Sequence, residues 1–224
     1  MNSVVIGASG GIGRALADMM EEDGYTVHRL SRSGTGLDFL SETSLAAAAA
    51  RLPFPAIDRL LVATGMLHEE GHGPERSLRQ LDPERLARSF AVNAIGPALV
   101  LKHFAPFLRR DGPSRTALLS ARVGSIADNR LGGWYGYRAS KAALNQLVRT
   151  AAVEIARTRP QAILVALHPG TVDTAMSRPF QANVPSEKLF TPDRSARALL
   201  QVLDCLSPEN NGGFFDWAGE PIPF

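Results

Sequence analysis

Residues 3–20 read SVVIGASGGIGRALADMM, and this stretch decides how the chain folds. Val4, Val5 and Ile6 are β-branched and apolar, the composition of a strand covered on both faces. Glycines follow at once at positions 7, 10, 11 and 13, and the chain then continues in good helix formers from Arg14. A strand that turns through glycines into a helix leaves the first N–H groups of that helix without partners. Those groups point back toward the strand end, where they stabilise phosphate. Gly7 suits the tight turn, Gly11 a close approach of backbone to a diphosphate, and Gly13 close packing of helix on strand. Gly7, Ser9, Gly11, Ile12 and Gly13 are therefore candidate contacts to a dinucleotide.

Outward from this loop, short apolar runs alternate with longer helix-like stretches, the pattern of repeated strand–helix units on a parallel sheet. Strands are predicted at 3–6, 26–30, 36–38, 57–63, 116–120, 162–167 and 213–216. Helices are predicted at 11–23, 41–52, 83–110, 134–157 and 192–206. Asp82 before Pro83, Thr191 before Pro192 and Ser41 before Glu42 are start signals. The connection from Leu30 to Gly36 is too short for an ordinary helix and predicts a bare loop. The expected architecture is a single α/β domain over 1–224, a Rossmann-type doubly wound parallel sheet of about seven strands with helices on both faces.

The chain has 224 residues, 45% of them hydrophobic, enough for one sizeable core. Basic residues exceed acidic ones by 24 − 22 = 2 and are scattered, which argues against nucleic acid as a partner. The single cysteine, Cys205, cannot form an internal disulfide, and no Cys/His group has metal-ligand spacing. The amino terminus is unlike a signal peptide, and no membrane-spanning apolar run is evident. A soluble, cytoplasmic protein without metal or membrane is expected. A Gly-x-Ser-x-Gly elbow, the mark of a serine hydrolase, is lacking.

Residues 135–141 read YGYRASK at the head of a predicted helix. Tyr137 and Lys141 are four apart and share a helical face. A free phenol titrates near pH 10, and a neighbouring ammonium favours the phenolate; a shift of about 3 units is worth roughly 4 kcal/mol. Tyr137 could then exchange a proton with a substrate oxygen.

The spacing Gly-x-x-x-Gly-x-Gly at residues 7–13, with the later YGYRASK, resembles the short-chain dehydrogenase/reductase family, and the resemblance runs over nearly the whole chain. Asp38 with Phe39 resembles the family's adenine-contacting acid, and Ala63-Thr64-Gly65 its Asn-Ala-Gly turn. Asn93 in AVNAIGP resembles its mid-helix asparagine. HPGTVDT at 168–174 resembles its Pro-Gly segment beside the nicotinamide, with Pro169, Gly170, Val172 and Thr174 as candidate contacts. The resemblance implies that Lys141 also holds the nicotinamide ribose and that Asn93 helps place a water relaying protons to Lys141. It further implies a homodimer or homotetramer and a small-molecule carbonyl or alcohol substrate.

The family also supplies a serine after its fifth strand to polarise the carbonyl. This chain reads LLSARVGSI, with Ala121 where that serine is expected. Ser125 is the expected replacement and Ser120 the alternative. The wording SARVGSI, LGGWYGYRASKAALNQ and GGFFDWAGEPIPF is most similar to the branch containing the developmental C-factor of myxobacteria and the sniffer-type carbonyl reductases. At the end of the second strand, where an NAD enzyme carries an acid, this chain has Ser31 followed by Arg32. A guanidinium suits a 2′-phosphate, so NADP(H) is expected in preference to NAD(H). Residues 175–191 are expected to form a substrate lid, with Trp134, Met66 and Met176 walling an apolar pocket. A rival expectation is an NADP-binding regulatory or signalling protein with weak or incidental catalysis.

Overall fold

The computed structural model describes residues 1–69 and 71–224. Its centre is a sheet of six parallel strands: β1 (Asn2–Ile6), β2 (Thr26–Leu30), β3 (Arg59–Val62), β4 (Ser114–Leu119), β5 (Ala162–His168) and a last strand, Phe214–Asp216. The spatial order is β2-β1-β3-β4-β5 and then the last strand. Between the first and third strands the winding reverses direction, which opens a crevice at their carboxyl ends.

Helices cover both faces. On one side lie α1 (Gly11–Glu22) and the carboxy-terminal helix Pro192–Cys205, packed on Val5, Leu61, Val165 and Leu167. On the other lie α3 (Glu42–Ala50), α5 (Gly96–Phe104) and α6 (Tyr135–Ala156), packed on Val4, Ile6, Leu60 and Leu164. Successive strand residues therefore feed opposite core layers, Val4 and Ile6 one, Val5 the other. Burying each such side chain contributes about 2 kcal/mol.

Three details depart from the sequence expectations. The segment 36–38 is not a strand, so the main sheet has six strands instead of about seven. Ser31 accepts a hydrogen bond from Gly34 N and caps a one-turn helix, α2 (Arg32–Thr35), where a bare loop was expected. Gly36, at φ +70°, ends that helix, and Leu37 N returns to Ser31 O, so residues 36–38 have no neighbouring strand to join.

The long helix expected over 83–110 is divided. It begins as α4 (Pro83–Phe90), capped by Asp82, widens into a π-helical turn at Ala91–Ile95, resumes as α5 and closes in a 3₁₀ turn at Ala105–Phe107 around Pro106. The 25-residue helical segment Pro83–Phe107 has the length and apolar composition of a membrane span, but Val100, Leu101 and Phe104 on it face the core. A pair not legible in the sequence, β6 (Thr171–Val172) and β7 (Leu189–Phe190), ties the two ends of the segment between them in a small parallel ladder. The carboxy-terminal helix is α7 and the last strand of the main sheet β8.

Candidate active site

The crevice is floored by the glycine loop. Gly7 has φ +89°, and a Cβ there would lie 2.7 Å from Ala63 O; a Cβ on Gly13 would lie 2.2 Å from Gly7 O. Only glycine permits either contact. The missing Cβ of Gly11 faces the Thr174 methyl at 2.9 Å. α1 starts behind Gly10 with no side-chain cap and no acidic residue in its first turn. Its leading N–H groups are open to an anion, and Ser9 and Ile12 flank them.

Around that loop the structure gathers the ends of the neighbouring strands. Gly7 N and Ala8 N donate to Leu30 O, which brings the Ser31–Arg32 turn beside the loop. Arg32 is exposed and takes no side-chain partner among the described residues. Ala63 N donates to Ile6 O, and the Thr64 hydroxyl is buried without a hydrogen-bond partner. Asp38 accepts from Leu40 N, while the Phe39 ring lies where a Gly96 side chain would be, 2.4 Å from its missing Cβ. Phe39 is thus turned into the helix layer.

From the other end, Pro169 O accepts from the Ser195 hydroxyl at 2.8 Å, and Gly170, at φ +81°, fits beneath Phe190 and Trp217. Val172 is buried in β6, and Thr174 reaches Gly11. A glycine cradle, an uncapped helix terminus, an unpartnered buried hydroxyl and a free guanidinium form a donor set that fits a dinucleotide phosphate backbone.

Two of the expected chemical residues, Asn93 and Lys141, converge on Gly65. A Cβ there would meet Asn93 Oδ1 at 3.4 Å, Lys141 Nζ at 3.5 Å and Met176 Cε at 3.8 Å. Asn93 is fully buried in the π-turn, where its amide accepts from Met66 N and donates to Met66 O, both at 2.8 Å, and to Ser140 Oγ at 3.1 Å. The widened turn holds this amide against a neighbouring loop, a setting in which π-turns recur at functional sites. Lys141 is 3% exposed, and its ammonium donates to Leu119 O at 2.8 Å and stands 5.9 Å from the centre of the Tyr137 ring.

Burial sets the protonation of this pair. It pushes the Tyr137 phenol up to about 12 and the Lys141 ammonium down to about 8. Desolvation is what raises the phenol, and the Lys141 ammonium beside it is held on the Leu119 carbonyl. Tyr137 is accordingly a neutral, proton-bearing phenol at neutral pH.

Neither serine is hydrogen-bonded to Tyr137. Ser120 is buried and its hydroxyl donates to Asn145 Oδ1 at 2.6 Å, one turn below Lys141. Ser125 accepts from Asp128 N at 3.1 Å. It lines a cavity of about 440 Å³ with Tyr135, Arg138, Ala139 and Ala142, the face of α6 opposite Tyr137 and Lys141. The reason is Gly124, whose missing Cβ lies 2.8 Å from Lys141 Cβ and 2.9 Å from Lys141 C. The chain crosses tightly over the helix there, so Ser125 emerges on its far side. Ala121 occupies the strand end instead, and Ser125 is not brought together with Tyr137 and Lys141.

Aromatic rings extend from Tyr137. Trp134 packs edge-on to it with centroids 6.3 Å apart, Phe180 lies 5.5 Å from Trp134, and His68 lies 5.5 Å from Phe180. Sequence reasoning picks out Trp134 and Met66, with Met176 and Phe180 in the lid segment, but not His68, Ser140 or the buried Glu75, which stand in irregular segments or behind a helix without a periodic signature.

The family model for short chain dehydrogenase matches residues 36–185. The chain belongs to the short-chain dehydrogenases. This short-chain dehydrogenase is 42% identical over 149 residues to C-signal of Myxococcus xanthus, covering 66% of this chain and 84% of that one. It is 29% identical over 226 residues, 94% of each chain, to 1-hydroxy-2-glutathionyl-2-methyl-3-butene dehydrogenase of Rhodococcus sp. (strain AD45). Its fold is similar to the NADPH-bound carbonyl reductase from chicken fatty liver, with a TM-score of 0.84 and 25% identity over 100% of this chain and 98% of that one. The expected family, fold class and oxidoreductase class are thereby met.

Proposed function

We propose that this short-chain dehydrogenase interconverts a small-molecule carbonyl and its alcohol with NADP(H) in preference to NAD(H). The observation that carries the proposal is the convergence at Gly65, where the Asn93 amide and the Lys141 ammonium face one point between the glycine loop and Tyr137. A bound nicotinamide cofactor supplies or accepts hydride. The protein's own part begins with holding it: Gly7, Ser9, Gly11, Ile12 and Gly13 at the phosphates, Ser31 and Arg32 at the adenosine ribose, Asp38 beyond them, and Ala63, Thr64 and Gly65 with Pro169, Gly170, Val172 and Thr174 along the rest.

Tyr137, half-buried and neutral, gives its proton to the carbonyl oxygen in the reducing direction and recovers one in the other. Lys141 stabilises the phenolate left behind. Asn93, fixed by Met66 and Ser140, orients the polar floor next to Lys141. Residues 175–191 act as the lid, and Trp134, Phe180, His68 and Met176 exclude water and favour an apolar substrate. The setting proposed is cytoplasmic, without nucleic acid or membrane.

Cofactor choice is tested at Arg32. Arg32→Ala is expected to weaken NADPH binding by about ten- to a hundredfold, the worth of a charge-assisted hydrogen bond, and to leave NADH unchanged. Equal losses for both cofactors would remove Arg32 from the 2′-phosphate.

One observation favours a second reading. With Ala121 at the strand end and Ser125 across the helix, no serine hydroxyl supports the carbonyl, as suits an NADP-binding regulatory protein with weak catalysis. NADPH binding without turnover of any aldehyde, ketone or quinone would select that reading.

A further inference from the structure

Glu75 comes from an irregular stretch, yet it is only 6% exposed and ends against the first turn of α6. Its Oε2 accepts a hydrogen bond from Gly136 N at 3.1 Å, and its Oε1 lies 3.1 Å from where a Cβ of Gly136 would be. Its backbone carbonyl accepts from Trp134 N, and Gly133, at φ +65°, fits below the same carbonyl. One residue thus bonds both Trp134 and Gly136 at the corner from which the helix departs.

That corner is strained. Trp134 has φ +52° and ψ +44°, the only residue other than glycine with positive φ among those described, and an indole there carries a steric cost. The first turn of α6 has no side-chain cap and no acidic residue of its own, so the Glu75 carboxylate, 61 residues away in sequence, is the anion at its positive end. Tyr137 is the next residue after Gly136. A further set of bonds holds the outer side of the corner: Arg138 Nε donates to Gly132 O and Gly133 O, and its Nη1 to Val123 O. Nothing but Glu75 does so on the inner side among the described residues.

We infer that Glu75 is a positioning residue, whose carboxylate clamps Gly136 and, with its carbonyl, keeps Trp134 left-handed, thereby fixing where the Tyr137 hydroxyl and its indole neighbour meet a substrate. The inference rests on the reading of Tyr137 as proton donor. What the clamp needs from the side chain is an acceptor oxygen at glutamate length. Gln at this position keeps that oxygen, Asp keeps the charge but falls one methylene short, and Ala keeps neither.

The test compares Glu75→Gln, Glu75→Asp and Glu75→Ala as purified full chains, with NADPH binding stoichiometry measured by titration so that kcat is expressed per binding-competent site. Tyr137→Phe runs beside them. Glu75→Ala is expected to lower kcat by about tenfold or more, the scale of misplacing a catalytic group, with NADPH affinity unchanged. Glu75→Gln is expected to stay close to the parent in kcat and pH profile, and Glu75→Asp to lose activity. If Glu75→Ala does not fold, the Gln and Asp variants decide alone: an active Asp variant with a crippled Gln variant means that charge, not placement, matters and overturns the inference. So does a Glu75→Ala protein with the parent's kcat per site. Undiminished turnover in Tyr137→Phe would instead remove the reading on which the inference stands, whatever the Glu75 variants do.

Discussion

At position 121 a methyl group stands at the end of β4, and the consequences are local. The nearest hydroxyls are both engaged elsewhere, Ser120 with Asn145 and Ser125 with Asp128. In the proposed reaction Tyr137 is left as the group that meets the carbonyl oxygen. Ser125→Ala should therefore leave kcat unchanged. Ala121→Ser, which places a donor at the strand end, should raise kcat by about tenfold or more, the lower range of what one oriented donor supplies. Steady-state kinetics on the two variants checks both statements; a large loss in Ser125→Ala would return that serine to the site. The position of Ser125 shows where sequence spacing stops informing. Distance along the chain to Tyr137 is the same whichever side of α6 the loop takes, and Gly124 packing against Lys141 sets the side. The protonation of Tyr137 is beyond sequence spacing for a related reason. Four-residue spacing puts ammonium and phenol on one face, but burial and the Leu119 carbonyl determine how they titrate.

Among the elements, β1, α1 and their glycines were legible because each residue type answers a steric demand that no other satisfies. The last turn of that logic is Gly13, whose missing Cβ would overlap Gly7 O at 2.2 Å. Gly13→Ala should push α1 off the strand, costing about 1–3 kcal/mol as an overpacked core contact does, and should weaken NADPH binding in step. Chemical denaturation with and without NADPH measures both; an Ala variant of parental stability would mean that α1 is not seated as described. The π-turn at Asn93 was not legible. Its residues, AVNAI, have ordinary helical preferences, and what widens the turn is the amide's three bonds to Met66 and Ser140, tertiary contacts from outside the helix. The four-residue α2 and the two-residue ladder of β6 and β7 escaped for want of length, since periodicity has nothing to count in so few residues.

Over the whole molecule, the parallel sheet and its two helical layers were readable because nearly every strand is apolar throughout and the helices that cover the sheet are long enough to show a face. One surface is unexplained by the monomer. α5 and α6 leave between them a groove of about 630 Å³ lined by Leu101, Ala105, Leu147, Ala151 and Ile155, with Lys102 and Glu154 at its edge. We propose that a second copy of the chain covers it, giving the homodimer or homotetramer implied by the family. Leu147→Glu should then shift the sedimentation coefficient to that of a monomer; a parent already monomeric at micromolar concentration would contradict this.

The central claim is that the described crevice reduces a carbonyl with a proton from Tyr137, and the most direct test is NADPH-dependent turnover of an aldehyde, ketone and quinone panel by the parent and by Tyr137→Phe at equal NADPH occupancy. Turnover is expected from the parent and a loss of about a hundredfold or more in the variant, with NADPH still bound. Equal turnover by the two proteins would contradict it.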